Sequence, residues 1–195
     1  MEEYAYIEIL IEDQSGEILV KNIMDKYITE VPGITYKIHS FKGIGRTLES
    51  MPGKKAIFVI LDSDDADCAE LKKDLVEMYE KSGVTVDVYF CIAIEEMEAW
   101  LLGDEKAIEE AYPQAKMPLL RKYVQDSIVG TWEYLADVVY SGGVNALKKK
   151  AESYYEIGLF KCECAGNIGM YLNIHENKSP SFNYFINKLN DFCEV

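Results

Sequence analysis

The chain has 195 residues, with 20 Lys and Arg against 34 Asp and Glu, a formal charge of −14 and 49% hydrophobic residues; this composition argues against disorder, and the length fits one domain. No run reaches the roughly 18 apolar residues of a membrane span, the acidic start Met1-Glu2-Glu3-Tyr4 is unlike a secretory leader, and the expected compartment is cytoplasmic. The charge disfavours broad capture of nucleic acid, because phosphate binding needs clustered cations and Lys54-Lys55, Lys72-Lys73 and Lys148-Lys149-Lys150 are short runs.

In chain order, 4–11 alternates Ala5, Ile7, Ile9 and Ile11 against Tyr6, Glu8 and Leu10, a strand pattern broken by Glu12-Asp13-Gln14-Ser15-Gly16. From Glu17, Ile18, Leu19, Ile23, Met24, Tyr27 and Ile28 recur at helical spacing until Pro32-Gly33. A second strand is expected over 34–41, then a loop, Lys42-Gly43-Ile44-Gly45-Arg46, opening a short helix that stops at Pro52-Gly53. The unbroken apolar run 56–61 has the pattern of a strand covered on both faces, and it ends at Asp62-Ser63-Asp64-Asp65. A helix over 68–81, with Leu71, Leu75, Met78 and Tyr79 on one stripe, and a strand over 84–92 follow, and then Glu95-Glu96-Met97-Glu98-Ala99-Trp100-Leu101-Leu102. Strand and helix alternate as far as residue 102, which predicts an α/β core over 1–103 with a mainly parallel sheet flanked by helices.

Beyond Gly103 the expected elements are helices, over 104–112, 131–140, 144–156, 164–174 and 181–192, with Asp104 and Ser181 as N-caps. Residues 104–195 therefore form a helical extension, expected to pack on the core as one unit. The five cysteines, an odd number, predict reduced thiols, and Cys162-Glu163-Cys164 lacks zinc-knuckle spacing.

Ligands of open α/β sheets bind beyond the carboxyl ends of the strands. Acidic groups fall at three such ends: Glu12, then Asp62 and Asp64, then Glu95, Glu96 and Glu98. Carboxylates brought together repel unless a cation stands between them, and a hard divalent ion, Mg²⁺ or Mn²⁺, matches oxygen donors. In a helix Glu95 and Glu98, at i and i+3, share a face and Glu96 is turned away. The same residues also serve as turn formers and helix caps. His39 falls within a strand and is expected to be packed. Lys42, Arg46, Lys161 and Ser181, the last at a helix N-terminus, are the candidate phosphate binders, with plain capping as the alternative for Ser181. No glycine-rich nucleotide loop of either common spacing occurs.

The succession of a strand with Glu12 and its small polar turn, a strand with Asp62-x-Asp64, and a strand leading to Glu98-Ala99-Trp100-Leu101-Leu102 resembles Toprim domains, most closely the small stand-alone Toprim-like proteins related to the overcoming-lysogenization-defect nucleases. Ser179-Pro180-Ser181-Phe182 extends the likeness toward the carboxyl end. The resemblance implies Mg²⁺ or Mn²⁺ on Glu12, Asp62, Asp64 and Glu98, with Glu95 as a further ligand, and phosphodiester hydrolysis, as in a nuclease. Asp13 stands where Toprim domains usually carry glycine. Two alternatives remain open: a non-catalytic Toprim-like subunit that partners an ATPase or another basic protein, and a haloacid-dehalogenase-like phosphatase using Asp62-x-Asp64.

Overall fold

A computed structural model describes residues 5–40, 54–83 and 85–194. The expected loop and short helix of 42–53, with Lys42 and Arg46, lie outside these residues. Four strands, β1 (Ala5–Ile11), β2 (Ile34–Ser40), β3 (Lys54–Asp62) and β4 (Asp87–Ala93), form one sheet in the order β2-β1-β3-β4 with every pairing parallel. The fold is therefore α/β, with helices flanking the sheet and a helical carboxyl-terminal part.

Parallel strands keep paired residues on one face, and the register sorts the sheet into two sides. Ile7, Ile9 and Ile11 of β1 share a side with Ala56, Phe58 and Ile60 of β3 and with Cys91 and Ala93 of β4, all buried in the main core. Helix α1 (Gln14–Glu30) covers this side with Leu19, Val20, Ile23, Met24 and Tyr27. The other side of β1 and β3 carries a smaller buried cluster of Tyr6, Leu10 and Ile57. Helix α2 (Cys68–Ser82) lies against β4 on that side, where Cys68 and Lys72 share a pocket with Phe90 and Ile92. None of its residues is buried, and Met78, part of its expected apolar stripe, is 67% exposed.

Beyond β4 come α3 (Glu98–Leu102), α4 (Glu105–Ala111), α5 (Met117–Leu120), α6 (Thr131–Val139), α7 (Gly143–Lys150), α8 (Tyr154–Tyr171) and α9 (Pro180–Cys193). The expected helix over 144–156 is two elements, since α7 stops at Lys150 and α8 begins at Tyr154, ten residues before the 164 expected for it. Their core is aromatic: the Trp100 ring stacks on Phe185 with centroids 5.5 Å apart and meets Phe182 edge-on. Phe185 in turn packs edge-on against Phe58 of β3. Each such pair adds about 0.5–1.5 kcal/mol to the burial of its rings. The extension is thereby fixed to the sheet, and α3 with it.

Two details differ from the sequence reading. Asp104 caps α4 as expected, accepting the Ala107 N–H at 3.0 Å. The cap of α9, however, is Ser179, whose hydroxyl accepts the Phe182 N–H, and Ser181 lies inside the first turn because Pro180 is well suited to the first helical position. Helix α1 is capped by Asp13, which accepts the Gly16 N–H at 2.7 Å and the Ser15 hydroxyl at 2.8 Å. It therefore begins three residues before the apolar periodicity shows. Among the described residues no helix is long and apolar enough to cross a membrane.

Candidate functional site

The chain leaves β1 outward to β2 and leaves β3 outward to β4, so the neighbouring carboxyl ends of β1 and β3 mark the switch point at which α/β sheets bind ligands. Ile11 pairs with Ile60, and β3 runs two residues further, to Asp62, which pairs with Ala93. This register places Asp62 beside the β1–α1 turn on one side and the end of β4 on the other. The turn after Asp62 is laced to β4's exit: the Ser63 N–H donates to the Ala93 carbonyl, the Asp64 N–H to the Glu95 carbonyl and the Glu95 N–H to the Ser63 hydroxyl, all within 2.9 Å. Asp64 (φ 47°) and Glu95 (φ 62°) both adopt the left-handed region. For residues other than glycine such conformations cost about 1–3 kcal/mol each and gather at functional sites.

This geometry changes the reading of the three glutamates. Helix α3 starts only at Glu98 and Glu95 has left-handed backbone, so the expected common face of Glu95 and Glu98 does not form. The Glu95 carboxylate turns to the start of α6, accepting the Val129 and Gly130 N–H groups and the Thr131 hydroxyl. Burial pushes its carboxyl up, but these hydrogen bonds outweigh it and hold it below the ordinary range. Glu96, expected to face away, joins Glu98 instead. Lys161 of α8 reaches both, 3.2 Å from Glu96 and 3.3 Å from Glu98.

Glu98 is 2% exposed, and among the described residues its Oε2 has the Lys161 ion pair but no hydrogen bond; Asp62 Oδ1 is buried and lacks a hydrogen-bond partner among them as well. Burial, reinforced by the charge of Glu98, pushes the Asp62 carboxyl up to about 8, with Lys161 opposing and Asp13 and Glu96 adding to it. Glu98 is pushed up to about 7, again mainly by burial. Glu96 is raised by burial against the pull of Lys161. Burial works to lower the Lys161 ammonium, but Glu98, Glu96, Asp62 and Asp13 together hold it above its ordinary value. Two carboxyls, Glu98 buried and Asp62 half-buried, are thus raised toward neutrality around a persistent ammonium.

Of the sequence candidates, Asp62, Glu98 and Lys161 come together. Glu12 is exposed, one residue past the end of β1. Its neighbour Asp13, read from sequence only as a departure, is the nearer electrostatic influence on Asp62, Glu98 and Lys161. Asp64 is exposed and lines a separate acidic pocket of about 230 Å³ with Asp65, Glu95, Glu96, Trp132 and Glu133. Ser181 lies elsewhere, its hydroxyl accepting the Trp100 indole N–H at 2.9 Å and its own N–H donating to the Asp126 carboxylate at 2.6 Å. That carboxylate already takes the N–H a phosphate would need, and the cap of this helix is Ser179, not Ser181. His39 is packed as expected, its Nε2 2.8 Å from the buried Glu8 carboxylate.

The role of Lys161 could have been found by helical spacing. It shares a stripe with Cys164, Ala165 and Ile168, all buried, and a lysine on such a stripe needs a carboxylate to meet. Glu96 gave no such signal, because its direction depends on the left-handed turn before α3.

The donors suit a hard cation: carboxylate oxygens only, two of them buried and without hydrogen-bond partners, Asp62 Oδ1 and Glu98 Oε2. Among the described residues no three Asp, Glu, His or Cys side chains stand close enough to hold an ion as they are arranged, and Lys161 provides the positive charge. Mg²⁺ or Mn²⁺ would be held by Asp62 and Glu98, while Asp13 is engaged as the cap of α1. No curated protein and no solved structure matches the chain. The family model described as a domain of unknown function, DUF4276, matches residues 11–190, and the chain belongs to that family.

Proposed function

We propose that the protein is a metal-dependent phosphodiester hydrolase, a Toprim-like nuclease whose centre is Asp62 and Glu98 with the turn at Glu12 and Asp13. The observation that carries this reading is the pair of buried carboxylate oxygens at the sheet's switch point, Asp62 Oδ1 with no hydrogen-bond partner among the described residues and Glu98 Oε2 with only the Lys161 ion pair. Leaving such groups unsatisfied costs stability, a cost a folded protein sustains where function needs it. The resemblance of the Glu12, Asp62-x-Asp64 and Glu98 motifs to Toprim domains supports the same assignment.

When bound, the ion supplies Lewis-acid stabilisation of the phosphate and a more acidic water. Asp62 and Glu98 would hold it. Lys161 would neutralise a phosphate oxygen. Glu96 keeps the ammonium within the site, while Asp64 stands apart in the neighbouring acidic pocket. The test is cleavage of single- and double-stranded DNA and RNA in Mg²⁺ and Mn²⁺ by the protein and by Asp62→Asn. Metal-dependent cleavage lost in Asp62→Asn is the expected result; equal cleavage by both, or none under any condition, removes the proposal.

A second reading draws on the Lys161 ion pairs themselves: the ammonium serves as the permanent counter-ion and the protein is a non-catalytic partner of an ATPase or another basic protein, a role matched by the charge of −14. Capture of such a partner from native extract, unchanged by chelator and by Asp62→Asn, would favour it.

A further inference from the structure

The acidic pocket has a second groove, of about 460 Å³, as its neighbour, and Trp132 and Glu133 line both. The second groove is different in chemistry. Lys148, Ala151, Glu152, Ser153, Tyr154 and Ile157 form its remaining wall. Lys148 Nζ stands 4.9 Å from the centre of the Trp132 ring and 3.1 Å from Glu133. Lys149 and Lys150 follow at the exposed end of α7. At the start of α8, Tyr154 and Tyr155 are 89% and 73% exposed, far more than aromatic rings that serve packing.

Lysines in the last turn complement the helix dipole, and single exposed aromatics are ordinary. Neither fact explains why a lysine, a nearly bare tyrosine and a tryptophan line one groove beside an acidic pocket, with two more exposed lysines and a second bare tyrosine next to them in the chain. The geometry points to a binding track for single-stranded nucleic acid, with bases stacking on Tyr154, Tyr155 and Trp132, phosphates met by Lys148, Lys149 and Lys150, and the strand led past Trp132 toward Glu96 and the Asp62–Glu98 centre. Its direction rests on the hydrolase reading, while the binding itself does not.

Stacking is what favours a single strand. Bases in a duplex keep their faces to one another, whereas an unpaired strand offers each base's face to an aromatic ring. The protein's charge of −14 opposes a duplex, whose dense phosphates need a broad cationic surface, and the lysine run answers only a few phosphates. The Trp132 backbone fixes the junction, since its N–H donates to the Glu96 carboxylate at 3.1 Å.

The test is binding of a fluorescein-labelled oligo-dT of about 15 nucleotides in EDTA, at about 50 mM salt, followed by anisotropy and by tryptophan fluorescence. Trp100 is fully buried, so quenching reports on Trp132. The expected results are quenching on binding, a tenfold or greater loss of affinity in Tyr154→Ala/Tyr155→Ala with unchanged thermal unfolding, and a salt slope reduced by about 1.4 in Lys149→Gln/Lys150→Gln. Absence of binding, equal binding of a duplex with no effect of the tyrosine changes, or equal displacement of the oligonucleotide by polyglutamate, which would mark a merely basic patch suited to an acidic protein, overturns the track. The two proposals fail separately. Binding in EDTA without cleavage under any metal removes the hydrolase and leaves the track; cleavage undiminished in the tyrosine variant removes the track and leaves the hydrolase.

Discussion

Asp62→Asn is expected to stabilise the metal-free protein at pH 8 while abolishing the proposed chemistry. The Asp62 carboxyl goes from the ordinary 3.8 to about 8 in the fold, and each pH unit between the two corresponds to about 1.4 kcal/mol. A group whose folded pKa is raised contributes its stability below the unfolded value and loses it as pH rises through the folded one. From this group the native state therefore weakens between pH 4 and 8, by at most about 5 kcal/mol. Asparagine has no charge to bury, although it forfeits the attraction of Lys161 and brings an amide that must find an acceptor, for which Glu98 is at hand. A net gain of about 2–3 kcal/mol at pH 8 remains after these losses, an increase of about 4–12 °C in Tm for a chain of this size. Urea unfolding at pH 5 and pH 8 is the assay, with a flatter pH profile expected in the variant. Mn²⁺ should raise the Tm of the parent protein and leave that of the variant unmoved. A variant less stable at pH 8, or one that keeps the parent's pH slope, would refute the assignment of Asp62 as the buried titrating group.

Other substitutions address the supports of the site. Lys161→Met leaves Glu96 and Glu98 without their counter-ion and should cost about 3–5 kcal/mol at pH 8 and less at pH 5, where protons replace the ammonium, as urea midpoints at the two pH values would reveal. Lys26→Met removes three hydrogen bonds, each 2.8 Å, to the Gly169, Met170 and Leu172 carbonyls; a loss of about 1–3 kcal/mol is expected, with faster amide exchange at the carboxyl end of α8. In Gly103→Ala the new Cβ would lie 2.0 Å from Asn177 Oδ1, displacing a buried side chain that donates to the Trp100 carbonyl and accepts the Ser179 N–H. A cost of about 2–4 kcal/mol, measured by thermal unfolding, is expected.

The strands were legible because the sheet is parallel and buried: apolar runs such as 56–61 lie within β3, and the turn at Asp62 ends it where the acidic residues begin. Helices with a long periodic stripe, α1 and α2, were equally plain, although α2 buries none of its residues. The break between α7 and α8 was not, because Ala151-Glu152-Ser153 contains neither glycine nor proline. The site divided along the same line. Asp62 and Glu98 follow from strand ends and an apolar flank, which are one-dimensional signals. The turning of Glu95 toward α6 and of Glu96 toward Lys161 depends on one left-handed residue that no periodicity encodes. The meeting of Trp132 with Lys148 and Tyr154 joins three helices and has no counterpart in local sequence.

The carboxylate of Asp126 accepts from both the Ser179 hydroxyl and the Ser181 N–H, so the first turn of α9 is closed by the chain's own anion. Its backbone, at φ 54°, is held in a conformation that aspartate tolerates better than most residues. Because Trp100 follows Glu98 by two residues and its indole leans on Ser181, this clasp governs how firmly α3 stands against α9. The seating of α3, and of the glutamate at its root, thus draws on a side chain that is no member of the acidic centre.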